Sequence, residues 1–218
     1  MFATSEMRRT AGPKFFGLGE HPAIDFANTV STPDGQLEDL LCSWPDVVSW
    51  FSKSSFSQDP SLHLTGSRGV EALKSVLKLR EAWKATLAQL IDGGKVSDEF
   101  LESINRLLAE DNFHEAIHRD GDKGFHLERS VVRLQGEKLG LAILASQIAD
   151  FLANANLNYL HRCANTKTCT LYFYDTTKNH RRRWCSVAAC GNRHKVAAFR
   201  NRQAKSSRKG EHRTVDPV

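Results

Sequence analysis

Four of the chain's five cysteines fall within 28 positions of one another: Cys163, Cys169, Cys185 and Cys190, in the order C-x5-C-x15-C-x4-C. Two close pairs separated by about fifteen to twenty residues suit a tetrahedral Zn²⁺ site, because each pair clasps the metal while the intervening loop brings the pairs together. Four thiolates leave no open coordination position, so the site is structural and not catalytic. Metal attachment in a small finger contributes roughly 10–16 kcal/mol at neutral pH, enough to fold a module too small to build its own core. That energy is needed here. The stretch from Arg181 to Arg202 crowds seven Lys/Arg around two of the cysteines, and the thiolates' negative charge offsets part of their repulsion. Cys42, alone in the apolar context LLCSW, reads as a buried structural thiol.

The residues between the cysteine pairs suggest a shape. LYFYD (171–175) is aromatic-rich as a strand would be, TTKNH (176–180) is turn-like, and RRRWC (181–185) is expected to return as the second strand. Gly191 would let the backbone approach a ligand sulfur, and residues 192–205 have helical character with Val196 and Phe199 left for packing. A knuckle, a hairpin and a helix that supplies ligands at its start describe a treble-clef-like ββα zinc finger.

The net charge of +5 is unevenly spread: residues 151–218 hold 14 Lys/Arg against 3 Asp/Glu, while residues 1–150 hold 16 against 22. An acidic body with a basic end is the electrostatic layout of a nucleic-acid binder. Arg181, Arg182 and Arg183 are expected to alternate between faces of the second strand. On the following helix, Asn192 and Arg193 stand nearest to base edges, with Lys195, Arg200, Arg202 and Lys205 contacting phosphate. DNA is the expected partner. RNA is the alternative, with Trp184, Tyr172 and Tyr174 available either to stack on unpaired bases or to form finger core.

Upstream, residues 1–12 look disordered and 13–156 read as an α-rich domain with one small β-hairpin. Helices are expected over 22–29, over SWPDVVSWFSKS with Ser43 as N-cap, and over 70–93 on the stripe Val70, Leu73, Val76, Leu77, Leu79, Trp83, Leu87 and Leu90. Two more are expected over 97–111 and 136–156. Residues 54–69 read as a loop, and FHEAIHRDGDKGFHLERSVV (113–132) as a hairpin turning at DGDKG. The finger takes 157–205, and 206–218 form a disordered basic tail. The N-terminal residues lack the apolar core of a secretory signal, and the apolar stretch 139–152 is broken by Ser146, Gln147 and Asp150, so no membrane span is expected. A cytoplasmic, nucleoid-associated location follows, where thiols stay reduced.

In the body, Asp25, Asn28 and Thr29 with Arg80 form a polar set among apolar neighbours. Two roles are open: a structural ion pair with Asn28 capping a turn, or the lining of a small-molecule effector pocket in a one-component sensor. His21, His63, His114, His118 and His126 are scattered, with no HExxH, phosphate loop or nucleophile elbow, so no catalysis is expected.

Two stretches resemble known families. HRCANTKTC, LYFYDTTKNHRRRWC and WCSVAACGNRHK, with Asp175, Thr177 and Asn179 at a D-x-[ST]-x-N turn, resemble the CGNR zinc finger, although the first cysteine pair has five intervening residues where four is usual. GEHPAIDFANTV and VLKLREAW resemble the ABATE domain that precedes this finger. The resemblance implies a bacterial, stress-linked transcription regulator that binds DNA through a zinc finger. The alternative is a zinc-stabilised protein-interaction or RNA-binding protein. DNA readers are often dimeric, and the apolar helices of the body could supply a homodimer interface.

Overall fold

In the computed structural model the described residues are 17–32, 36–54, 60–109, 113–119, 125–131 and 134–211, with side chains described outside 113–131 and 205–211. The expected disordered N-terminus (1–12), the DGDKG turn and residues 212–218 lie outside them.

The described residues are mainly helical, with three separate two-stranded antiparallel sheets among them. Helix α1 (Pro22–Ala27) begins on a proline at its first position, where a missing N–H costs nothing, and His21 Nδ1 accepts from Ala23 N–H to cap it. Two-residue strands β1 (Val30–Ser31) and β2 (Glu38–Asp39) pair with Val30 opposite Asp39. Helix α2 (Trp44–Lys53) takes Ser43 as N-cap, accepting from Asp46 N–H. Helix α3 (Gly66–Ile91) starts four residues before the expected Val70, because the first turn is polar and carries no hydropathy signal. Its buried stripe is Ala72, Val76, Leu79, Trp83 and Leu87, whereas Val70 is exposed. Helix α4 (Asp98–Ala109) is capped by Ser97 Oγ accepting from Phe100 N–H. Strands β3 (Phe113–Arg119) and β4 (Phe125–Val131) form the expected hairpin in a register that places Phe113 opposite Val131.

Helix α5 (Gly136–Asn154) runs through the middle of the body, burying Leu144, Ile148 and Phe151. Two glycines set its approach. Gly136 has φ +52° and a Cβ there would lie 2.7 Å from Leu64, while a Cβ at Gly140 would lie 3.0 Å from the Trp44 ring. The core packs Trp50, Trp83, Phe26, Phe51 and Phe151 with the aliphatic residues between them. Buried indoles find acceptors: Trp83 Nε1–H donates to Ala23 O at 2.8 Å and Trp44 Nε1–H to Leu62 O at 2.6 Å. Among the described residues no helix is long and apolar enough to cross a membrane.

The C-terminal part comprises β5 (Leu160–Arg162), β6 (Tyr172–Tyr174), a π turn at Val187–Gly191 and helix α6 (Asn192–Glu211), whose backbone stays helical past residue 205. The expected strand pair is corrected here. β6 pairs with β5, upstream of Cys163, and not with 181–185, which has no strand structure. The reason lies in hydrogen-bond edges. One edge of β6 is taken by β5. On the other, Asn28 Nδ2–H donates to Tyr172 O at 2.8 Å, Tyr172 N–H donates to Asn28 Oδ1 at 2.9 Å, and Tyr174 N–H donates to Gly19 O at 2.9 Å. No edge is left for Arg181–Cys185, which joins the knuckle through Ala164 N–H donating to Arg183 O at 2.8 Å.

Candidate metal centre and basic helix

The four cysteines come from three local structures. Cys163 leaves β5 and Cys169 precedes β6, so the x5 loop is the turn of the β5–β6 hairpin, closed by Cys163 N–H donating to Leu171 O at 2.9 Å. Cys185 ends the arginine segment. Cys190 sits in the π turn, where Ser186 Oγ accepts from Ala189 N–H and Ser186 O from Gly191 N–H. A Cβ at Gly191 would meet Val187 and Trp184 at 3.5 and 3.6 Å, ordinary contacts.

All four cysteines are buried and their Sγ atoms lie within 4.8 Å of one another. Cys185 Sγ is 3.7 Å from both Cys169 Sγ and Cys190 Sγ. Four sulfurs at about 2.3 Å from a tetrahedral zinc stand about 3.8 Å apart, whereas a disulfide needs about 2.05 Å, so the geometry is that of a metal cage. The electrostatics agree. Cys163 is held far below the ordinary thiol range by hydrogen bonds from the Cys169 and Cys185 thiols, helped by the N–H groups of Cys185 and Asn165. The Cys163 sulfur in turn pushes Cys169 and Cys185 up. Sulfurs this close cannot all ionise without a cation among them. Cys163, Cys169, Cys185 and Cys190 are positioned to hold one zinc ion, which would supply folding energy and no reactive position.

Behind the cysteines stand residues that sequence spacing does not reveal as a unit. Asp175, fully buried, accepts from Thr177 N–H (2.9 Å), Thr177 Oγ1–H (2.6 Å) and Arg182 N–H (2.8 Å). Burial opposes its ionisation, but these bonds outweigh it and hold the carboxyl below its usual range. Arg182 lies inward. Its Nε–H donates to Trp184 O (2.9 Å), Nη2–H to Cys185 O and Nη1–H to Glu20 Oε1 (2.8 Å), and its guanidinium covers the Phe173 ring at 4.8 Å. Arg181 and Arg183 are exposed. Only the D-x-T spacing hinted at this buttress.

Along α6, residues 194–197 and 199–204 are exposed. Val196 (48%) and Phe199 (55%), expected to pack, face solvent; among the described residues this helix packs chiefly against the π turn at its start. Asn192 Nδ2–H donates to Ala188 O at 3.0 Å, a local cap. Arg193 is half-buried where the helix leaves the cysteines, Lys195, Arg200 and Arg202 are exposed, and the Lys205 side chain lies outside the described residues. Tyr172 and Tyr174 are core: Tyr172 is buried, and Tyr174 meets Phe151 edge-on at 5.7 Å.

The polar set of the body divides. Arg80 Nη1–H and Nη2–H donate to the two Asp39 oxygens at 2.7 and 2.6 Å, and Nη1–H also reaches Thr29 Oγ1 at 3.2 Å. The buried guanidinium therefore pairs with Asp39 and, through Nε–H at 3.2 Å, with Glu81, and not with Asp25. Burial opposes ionisation of Asp39, but the bonds from Arg80 and Leu41 N–H hold its carboxyl below the usual range. Asp25 instead accepts from Gly19 N–H at 2.8 Å, and Asn28 clasps β6. Cys42, expected to be buried, is exposed and donates to Asp39 O at 3.1 Å. His21, besides capping α1, meets Asp150 at 3.3 Å. The side chains of His114, His118 and His126 lie outside the described residues.

Two family models match the chain. One described as the CGNR zinc finger covers residues 159–203, and one, ABATE, described as "Putative stress-induced transcription regulator", covers residues 20–155. No curated protein matches the chain.

Proposed function

The chain belongs to the ABATE family, with a CGNR zinc finger following the ABATE region, and from that premise we propose that it regulates transcription by binding duplex DNA through α6 and the exposed arginines beside the zinc centre. The observation that carries this reading is the state of α6: a helix with seven Lys/Arg and one Glu in its sequence, exposed at residues 194–197 and 199–204, and anchored at its start by a metal ligand. A helix so charged gains nothing from solvent alone. It gains from a polyanion, where each cation placed on a phosphate releases a counterion. Arg182 is excluded from this surface by its inward bonds, leaving Arg181, Arg183, Lys195, Arg200 and Arg202 as the exposed cations that meet the duplex.

Binding of the zinc-loaded chain to duplex fragments, measured across salt concentrations with and without chelator, tests the reading. With four or five phosphates contacted the log–log slope is roughly −4; chelation abolishes binding. A slope near zero removes the DNA reading, and preference for single-stranded or folded RNA over duplex moves it to the alternative. A small-molecule effector at Asp25, Asn28, Thr29 and Arg80 would have to displace bonds that hold α1 to β6 and β2 to α3. Its binding would thus appear as a large shift in unfolding temperature in a metabolite screen, and light scattering reads whether the chain pairs with a second copy.

A further inference from the structure

One face of α6 carries a regular pattern. Arg193 and Arg200 are seven residues apart, two helical turns or roughly 10.5 Å, and so project from the same side. Val196 and Ala197 lie between them, and with Ala189 and Asn192 these residues line a shallow concavity of about 420 Å³ open to solvent. The face is therefore arginine, small and apolar, arginine. Lys195 and Arg202 lie on the opposite side of the helix.

A helix about 10–12 Å across fits a major groove about 12 Å wide. Inside that groove, guanine presents paired acceptors, O6 and N7, that match the fork of an arginine, and thymine presents a methyl that prefers apolar contact. A separation of roughly 10.5 Å along the groove spans two to three base-pair steps of about 3.4 Å rise. Asn192 at the start of this face spends one of its two amide N–H groups on Ala188 O at 3.0 Å.

Resting on the DNA-binding reading above, we propose that this face of α6 gives the protein its sequence preference: Arg193 and Arg200 each read a guanine on one strand, two or three steps apart, and Val196 with Ala197 takes a thymine methyl between them. The charge complementarity of the bare helix commits the groove to duplex DNA. Lys195, Arg202, Arg181 and Arg183 hold phosphates on either side and carry no sequence information.

Selection from a random duplex library with the zinc-loaded full chain tests this. The wild type enriches G-N-G or G-N-N-G with T favoured inside. Arg200→Ala, at an exposed side chain away from the sulfurs, keeps its zinc and loses preference at one guanine by about 5- to 150-fold. Arg193→Gln loses it at the other. Lys195→Ala weakens binding to all sequences alike and makes the salt slope shallower by about one. If the chain binds duplex DNA with a motif that neither arginine substitution changes, or with none, the proposal falls while the DNA reading stands. If it binds no duplex at low salt, both fall. Should Arg193→Gln lose zinc, the Arg200→Ala result alone decides.

Discussion

Asp25 carries a carboxyl in the first turn of α1 and accepts from Gly19 N–H. Burial pushes its pKa up to about 6, against the opposing pull of the N–H groups of Gly19 and Leu18, while neighbouring Glu20 adds to the rise. A raised carboxylate pKa means that the folded state holds a proton that the unfolded state has released. Between the ordinary value of 3.8 and about 6, stability therefore falls as pH rises, and above that window a constant cost remains. Two pKa units correspond to about 3 kcal/mol, and solvent screening of this partly exposed group reduces that to about 1–2 kcal/mol. Asp25→Asn keeps an acceptor for Gly19 and removes the charge. Thermal unfolding should show the variant more stable than wild type by about 1–2 kcal/mol at pH 7.5 and equal to it near pH 4; equal stability at both values would mean that the carboxyl carries no burial cost. Arg182 makes a second point at this scale. Composition puts it among the DNA-facing cations, yet its bonds to Trp184 O and Cys185 O orient a metal ligand. Arg182→Ala should weaken zinc affinity by roughly 10- to 100-fold in a chelator competition, as loss of an outer-shell partner does. Unchanged affinity would make it a surface cation after all.

Among the elements, α1 does the most with the least length. Six residues touch α3, α5 and β6, and the residue after its end, Asn28, supplies both bonds that a neighbouring strand would have given Tyr172. An asparagine side chain carries a carbonyl and an N–H in one plane, so it completes the ladder edge where a third strand is absent. Removing it leaves a buried donor and a buried acceptor without partners. Asn28→Ala should lower stability by about 2–4 kcal/mol in denaturant unfolding, and Asn28→Asp, which sets a buried carboxylate oxygen against Tyr172 O, should recover none of it at neutral pH. A cost under about 0.5 kcal/mol for the alanine variant would contradict the clasp. The π turn and α6 form the complementary element: four thiolates around a divalent ion would carry a net charge of about −2, which would offset part of the repulsion among the nearby arginines.

At the scale of the whole molecule, finger and body are joined by the Asn28–Tyr172 pair, Gly19–Tyr174, Thr32 Oγ1–H donating to Thr168 O at 3.1 Å, and Glu20–Arg182. Zinc binding energy is therefore shared with the helical body. Calorimetry of the metal-loaded chain should give one unfolding transition, and chelation should lower the melting temperature of the body along with the finger. Two independent transitions, with the first alone sensitive to chelator, would show the parts to be uncoupled. The sequence by itself determined the metal cage, since C-x5-C-x15-C-x4-C and a basic surround leave four sulfurs few other uses. It also determined the helices α2, α3, α4 and α5 and the β3–β4 hairpin, because apolar periodicity, caps and turn residues act over a few positions. Only the tertiary structure decided that β5 rather than 181–185 completes the finger hairpin, that Arg80 answers Asp39, that Arg182 turns inward, and that Val196 and Phe199 stay bare. Each of those outcomes depends on which hydrogen-bond edge, counter-charge or apolar face lies nearby in space after folding, at separations along the chain that local pattern does not encode.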